Sequence, residues 1–420
     1  MNRRLLVLAW MMPPLIFPRS LQISRTLRAM SARGWKTTVI AVPPDVEPFA
    51  AKDLRLESFY QGCYEIRYVE PREEIESSPI WVRLVRKVLR TTNTRDPNWI
   101  RRASHALCKQ IQYEKPEALI SFAQPWINHR VALSVKSQYP QVPWIVHFSD
   151  PWVDSPYFKP PDEKSRVTAI KQERAIISAA DAVIFTTQET ANVVMAKYPD
   201  HWARKVHIVT HGYDAKLVGL IESIPRAKKF TIVHTGNLYE KREPFALLRA
   251  LATLRSELTL DSLIVKFVGH TTQTMQDMVE ELGLEDIVVL IPNVPFFESL
   301  AIANTADLLL VIDAPAEYSV FLPSKVFDYL SLRRPILALT PHTGASARVL
   351  RGLGLPTVDS TDEVGILNML HESLARWQRG EPATSVPSED LLQHFEMNEV
   401  VLGFEKAVLS GISNREQTCA

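Results

Sequence analysis

The sequence is poor in cysteine. Cys63, Cys108 and Cys419 are the three in 420 residues, and they share no Cys-x-x-Cys or His-pair spacing, so neither a disulfide framework nor a zinc site is expected. A reducing cytoplasm fits that usage. No apolar run approaches the roughly 20 residues that a bilayer-spanning helix needs, so the chain is not expected to be integral to a membrane. An excess of one charge is missing as well: 48 Lys plus Arg stand against 47 Asp plus Glu, which leaves no global field to draw in nucleic acid. No G-x-G-x-x-G follows either 5–10 or 230–234, which argues against an NAD-dependent enzyme. No internal repeat or low-complexity tract appears.

What is present reads as a globular protein. Hydrophobic residues make up 46% of the chain and charged ones 23%, and the length calls for two domains. The opening Met1-Asn2-Arg3-Arg4 with its apolar continuation mimics a signal peptide, but Pro13 and Pro14 break the run and no small-residue cleavage site follows. A buried first strand is expected instead. Apolar, β-branched-rich runs at 5–10, 37–42, 117–123, 144–148, 182–185 and 206–209 alternate with helical patterns, the signature of buried parallel strands joined by crossover helices. The pattern lapses after His211-Gly212 and resumes at Phe230, with further strand runs at 263–268, 287–290, 308–312 and 336–339. The expected organisation is an α/β protein of two Rossmann-like doubly wound domains, 1–212 and 230–394, joined by a linker at 213–229. An amphipathic helix from 395 crosses back, and the tail 410–420 is frayed. Ligands of such sheets bind at the carboxyl ends of the strands, so a site in the interdomain cleft is expected.

Three segments carry candidate chemistry. Thr235-Gly236-Asn237-Leu238-Tyr239-Glu240-Lys241-Arg242 follows the first strand of the second domain and precedes a helix. Gly236 allows close backbone approach, the helix start supplies unpaired amides, and Lys241 or Arg242 adds a cation for a pyrophosphate. The same segment also reads as an ordinary strand-to-helix turn with solvated charges. Pro323-Ser324-Lys325-Val326-Phe327-Asp328-Tyr329 reads as a cap and a helix on which Lys325 and Asp328 share a face. Asp328 suits the ribose hydroxyls, while Ser324 and Lys325 suit phosphate or sugar oxygens. An exposed i, i+3 ion pair is the plainer reading. In the first domain His147-Phe148-Ser149-Asp150-Pro151-Trp152 closes a strand. Asp150 there is either a turn residue before proline or a carboxylate that serves a reacting centre.

Taken together and in order, these segments resemble the retaining group 1, family 4-like glycosyltransferases of GT-B fold, over nearly the whole chain. Phe148-Ser149-Asp150-Pro151-Trp152 resembles the Arg-Asp-Pro-Trp signature of a branch found in bacterial surface-polysaccharide pathways, and Asp96-Pro97-Asn98-Trp99 its upstream box. Ala180-Asp181-Ala182 and Ala306-Asp307-Leu308 resemble its helix-to-strand junctions, and 234–241 and 323–329 its phosphate turn and donor helix. The resemblance implies a nucleotide-sugar held mainly by the second domain through Gly236, Asn237, Lys241, Arg242, Ser324, Lys325 and Asp328. It implies a glycan or lipid-linked acceptor on the first, with Asp150 catalytic and Ser149, Trp152 and His129 on the acceptor side. It also implies transfer without a metal or other cofactor, which agrees with the absence of an Asp-x-Asp motif at a cleft position. The family's carboxylate pair falls on Val320 and Asp328, so only the second has a counterpart here. His129 sits one turn into a helix and is expected at its surface.

Residues 81–90 pattern as a helix with one apolar and one basic face. The basic face rests on anionic lipid or is simply solvated, the former implying peripheral contact with the inner face of the cell membrane. Two other functions stay open: a GT-B-like binding or scaffolding subunit without turnover, and a nucleotide-sugar epimerase.

Overall fold

The computed structural model describes residues 3–47, 50–71, 97–155, 162–239, 242–257 and 263–419. They form two compact units. The first comprises Met1–Ala50, Leu56–Val209 and Val401–Ala420, the second Ala51–Arg55 and Thr210–Val400. The stretch 213–229 thus lies within the second unit, and its short helix Ala215–Val218 starts where Asp214 accepts from the Lys216 N–H at 3.0 Å. Residues 81–90, Asp96 and Lys241 lie outside the described residues.

In the first unit β1 (Arg4–Leu8), β2 (Lys36–Ala41), β3 (Glu65–Tyr68), β4 (Ala118–Phe122), β5 (Trp144–Phe148), β6 (Ala182–Phe185) and β7 (Val206–Ile208) pair in parallel in the order β3-β2-β1-β4-β5-β6-β7. In the second, β8 (Phe230–Thr235), β9 (Leu263–Val268), β10 (Val288–Ile291), β11 (Leu308–Ile312), β12 (Ile336–Leu339) and β13 (Thr357–Val358) run β10-β9-β8-β11-β12-β13, also parallel. Each order reverses once, between β1 and β4 and between β8 and β11. At such switch points the crossover helices leave to opposite faces and open a crevice outside the strand carboxyl ends.

The central strands are mostly apolar because both faces are covered, and β11 is wholly so. In β8 and β11, Phe230, Ile232, Leu308, Leu310 and Ile312 pack on one face with the helices Phe245–Glu257 and Glu363–Gln378. Val233, Leu309 and Val311 pack on the other with Lys325–Leu332 and Ala345–Gly352. Each fully buried Leu, Ile or Phe contributes about 1.5–3 kcal/mol of transfer free energy. Edge strands β3 and β13 have no such signal in the sequence, being four and two residues long and largely open to solvent.

The two helix-to-strand junctions share a device. Asp181 accepts from the Trp144 N–H at 2.8 Å and Asp307 from the Thr231 N–H at 2.9 Å, so each carboxylate ties the start of its own strand to the start of a neighbour. The last helix, Met397–Cys419, runs past the expected frayed end. Glu405 accepts from the Trp35 indole at 2.7 Å and from Arg33 Nε at 2.7 Å, and Asn414 donates to the Asp181 carbonyl at 3.1 Å. Gly411 makes the close fit, since a Cβ there would stand 3.2 Å from Ile145. Among the described residues no helix is long and apolar enough to cross a membrane.

Candidate functional site

In the second unit the polar side chains gather where β8, β9, β11 and β12 end. Gly236 follows β8 with φ +109°, and its N–H donates to the Val268 carbonyl at 2.7 Å. That left-handed conformation, with Gly269 pressed so close that a Cβ on it would meet Gly236 at 2.7 Å, explains two glycines at adjacent strand ends. Asn237 is exposed and locks the turn, its Oδ1 accepting from the His270 N–H at 3.0 Å.

Lys325, the first residue of its helix, sends its ammonium to this turn: a Cβ on Gly236 would lie 2.8 Å from Lys325 Nζ. Arg242 stands near enough to act on the same charge. Burial first, and then Arg242, depress Lys325 to about 7 against the opposing pull of Asp313 and Asp328. Two cations held together against their repulsion in a desolvated place are what an incoming polyanion relieves. Asp328 lies one turn along from Lys325 and is partly exposed. Ser324 occupies the N-cap position, but its own helical dihedrals (φ −61°, ψ −27°) keep the hydroxyl from capping. Its carbonyl instead accepts from the Phe327 N–H at 3.1 Å. Val320, where the family's first carboxylate falls, is a buried apolar residue.

In the first unit the corresponding edge is that of β4 and β5. Asp150 is partly exposed and accepts from the Ser149 hydroxyl at 2.7 Å and from Gln124 Nε2 at 3.3 Å. Ser149 itself is 7% exposed. Beneath lies Arg19, in the first turn of Pro18–Ala32, with NH2 3.2 Å from His147 Nδ1 and NH1 donating to Gln22 at 2.6 Å. Burial lowers Arg19 to about 10, opposed by the charge of Asp150. Trp152 stacks on Trp126 with centroids 5.2 Å apart. The turn that carries Asp150 and Trp152 is pinned by Glu173, fully buried, which accepts from the Val153 N–H at 3.3 Å and the Tyr198 hydroxyl at 2.7 Å and pairs with Lys197 at 2.8 Å.

His129 is not on a helix surface. It is fully buried, 2.8 Å from the Ser121 hydroxyl and against Phe148, and burial drives it down to about 3, so it is a neutral core side chain. The helix Ile127–Gln138 turns that position onto the sheet.

Three residues were missed by motif. Arg19 stands four before Ile23, on the apolar face of its helix. His234 is the last residue but one of β8, and Asp313 directly follows the apolar strand β11. A polar residue at the end of a buried strand is the signal that finds all but Arg19.

Two doubly wound parallel sheets, each with its polar side chains at the carboxyl edge of the switch point, define a two-domain α/β protein of the GT-B type. Residues 20–212 match the glycosyl transferase 4-like domain, so it is the first unit that carries the family's sequence pattern. Among solved structures, the sucrose-phosphate synthase of Thermosynechococcus elongatus is similar over 96% of this chain and 97% of its own, with TM-score 0.69 and 14% identity. An α,α-trehalose-phosphate synthase (UDP-forming) from Burkholderia xenovorans matches over 97% and 100%, TM-score 0.61, 12% identity. A UDP-N-acetylglucosamine 2-epimerase, so titled provisionally, from Listeria monocytogenes matches over 98% and 96%, TM-score 0.59, 11% identity. No curated protein matches the sequence.

Proposed function

We propose that the protein is a glycosyltransferase that moves a hexose-type sugar from a nucleotide-sugar to a glycan or lipid-linked acceptor, with retention, in polysaccharide or glycoconjugate synthesis. The observation that carries the reading is the Lys325 ammonium against the Gly236 turn at the carboxyl end of β8, with the charge of Arg242 acting on it. There the two cations receive the diphosphate, Asp328 takes the ribose hydroxyls, and Ser324 lies beside them. As the bond from the anomeric carbon to the diphosphate oxygen lengthens, the electron pair moves onto the leaving group, where the fixed cations offset its charge, while the acceptor oxygen bonds to that carbon and its proton passes to the departing diphosphate oxygen. Asp150, fixed by Ser149 and Gln124, orients the acceptor hydroxyl and offsets positive charge at the anomeric carbon. Trp152 offers an aromatic surface to the acceptor on the same turn.

Because Lys325 and Arg242 fill the place a cation must occupy, transfer is expected to need no metal, and activity should survive chelation by EDTA unchanged. The primary test is thermal stabilisation by a panel of nucleoside diphosphates, where a ligand at 100 times its Kd adds about 2.7 kcal/mol. One diphosphate should stabilise the wild type, Lys325→Met should cut the effect by about half or more, and Asp328→Ala should weaken it. Undiminished stabilisation in both variants overturns the assignment. Donor incubated without acceptor distinguishes the epimerase fold-mates: interconversion of the sugar in that tube replaces transfer with epimerisation.

A further inference from the structure

The ammonium of Lys325 is in contact with His234, and the charge of Asp313 acts on it. His234 is fully buried, and its Nδ1 lies 2.9 Å from the Leu310 carbonyl, an oxygen that only accepts. Nδ1 therefore carries the hydrogen, and Nε2 presents a lone pair to Lys325 Nζ at 3.0 Å. Burial and the neighbouring Lys325 charge hold His234 well below its ordinary range, which keeps that lone pair free of a proton.

Asp313 is 2% exposed at the end of β11. Its Oδ2 accepts from the Thr340 hydroxyl at 2.8 Å, and among the described residues its Oδ1 has no partner at hydrogen-bond geometry. Burial raises the carboxyl above its ordinary range, opposed first by Arg242 and then by Ser346, Thr340 and Lys325. An unbonded, buried carboxylate oxygen is costly for folding alone. The charged groups acting on the ammonium are Arg242, which opposes it, and Asp313 and Asp328, which favour it.

We propose that His234 and Asp313 are positioning residues of the nucleotide-sugar site: His234 aims the Lys325 ammonium at the Gly236 turn, and Asp313 supplies the buried counter-charge that keeps it cationic until a diphosphate arrives. The inference rests on the reading of Lys325 as a diphosphate ligand. It explains how a lysine crowded by an arginine in a desolvated place retains the charge that reading needs. A neutral amine there would offer the departing diphosphate a hydrogen bond and no charge.

The test is calorimetric titration of the full chain with the nucleoside diphosphate that stabilises it, from pH 6 to 9. Repeating each titration in buffers of different ionisation enthalpy counts the protons taken up on binding. In the wild type affinity falls as pH rises through about 7, where the free protein's Lys325 gives up its proton, and binding takes up protons in that range. Asp313→Asn removes the counter-charge, so the fall moves to lower pH: affinity at pH 8 drops about tenfold, one unit's displacement, and returns at pH 6. His234→Phe, lacking the acceptor, weakens binding about tenfold or more, while His234→Gln, whose amide oxygen replaces Nε2, restores it. An Asp313→Asn profile that superimposes on the wild type, or lies equally below it at every pH, overturns the role of Asp313. Wild-type affinity in His234→Phe overturns that of His234. If Asp313→Asn does not fold, Thr340→Val keeps the carboxylate but removes a bond to its charged form, and a smaller displacement in the same direction is expected; an unmoved profile again overturns the role. Undiminished binding in Lys325→Met is a separate result, which removes the diphosphate reading itself.

Discussion

Gly344 stands just before the helix Ala345–Gly352 with φ +121°, and a Cβ built there collides with the Ser319 carbonyl oxygen. Backbone, not a movable side chain, is the obstacle, and the Ser319 carbonyl is already fixed by the Ala345 N–H at 2.8 Å. Gly344→Ala is therefore expected to destabilise the second unit by about 3 kcal/mol or more, through strain and collision together. Denaturant unfolding checks it, and a loss under about 1 kcal/mol would show that the turn relaxes. Gly236→Ala differs in kind, because its obstacle is the flexible end of Lys325. The sequence pointed to Gly236, Lys325 and Asp150 because each sits in a motif or beside a strand end. It could not point to His129's burial, since one turn of helix separates surface from core and only the packing against Phe148 decides. Nor could it show that Asp313 lies by Lys325, because those neighbours come from different elements.

The same limit operates on elements. Central strands β5, β8 and β11 were legible because two covered faces demand unbroken apolar runs, whereas β3 and β13 are short edges that pairing rather than composition creates. The helical course of 410–419 was not legible because the contacts made there, Gly411 by Ile145 and Asn414 on the Asp181 carbonyl, come from residues far away in sequence. The junction aspartates were legible as a motif but not in consequence. Asp181 pairs at 2.7 Å with Lys136, and both side chains are 8% exposed, while the Arg226 partner of Asp307 is 47% exposed. Removing Asp181 leaves a buried ammonium without its counter-charge, a loss of about 3–5 kcal/mol. Removing Asp307 frees an arginine that water can solvate and costs chiefly the Thr231 N–H bond, about 1–3 kcal/mol. Asp181→Ala should thus lower stability clearly more than Asp307→Ala in parallel urea titrations. Equal losses would mean that the buried pair is worth no more than its backbone bond.

For the molecule as a whole, the two carboxyl edges carry different chemistry. The second unit supplies cations beside a turn with a glycine at positive φ. The first supplies a carboxylate backed by a buried arginine and an aromatic surface. That division predicts a separation of effects between variants. Asp150→Asn keeps nearly the shape of the side chain and lies in the unit that does not carry Lys325, so nucleoside diphosphate affinity should stay within about twofold of wild type. Sugar transfer should fall about 100- to 10,000-fold, the range for losing a positioned catalytic carboxylate. Lys325→Met should do the reverse first, raising the diphosphate Kd about tenfold or more through the lost charge-assisted contact, and should lower transfer because the leaving group loses a fixed cation. Measuring Kd by calorimetry and transfer by release of the diphosphate, on both variants, separates the two contributions. If Asp150→Asn weakens diphosphate binding as much as Lys325→Met does, the carboxylate belongs to donor binding, and the reacting centre must be sought at another residue of the β4 and β5 edge.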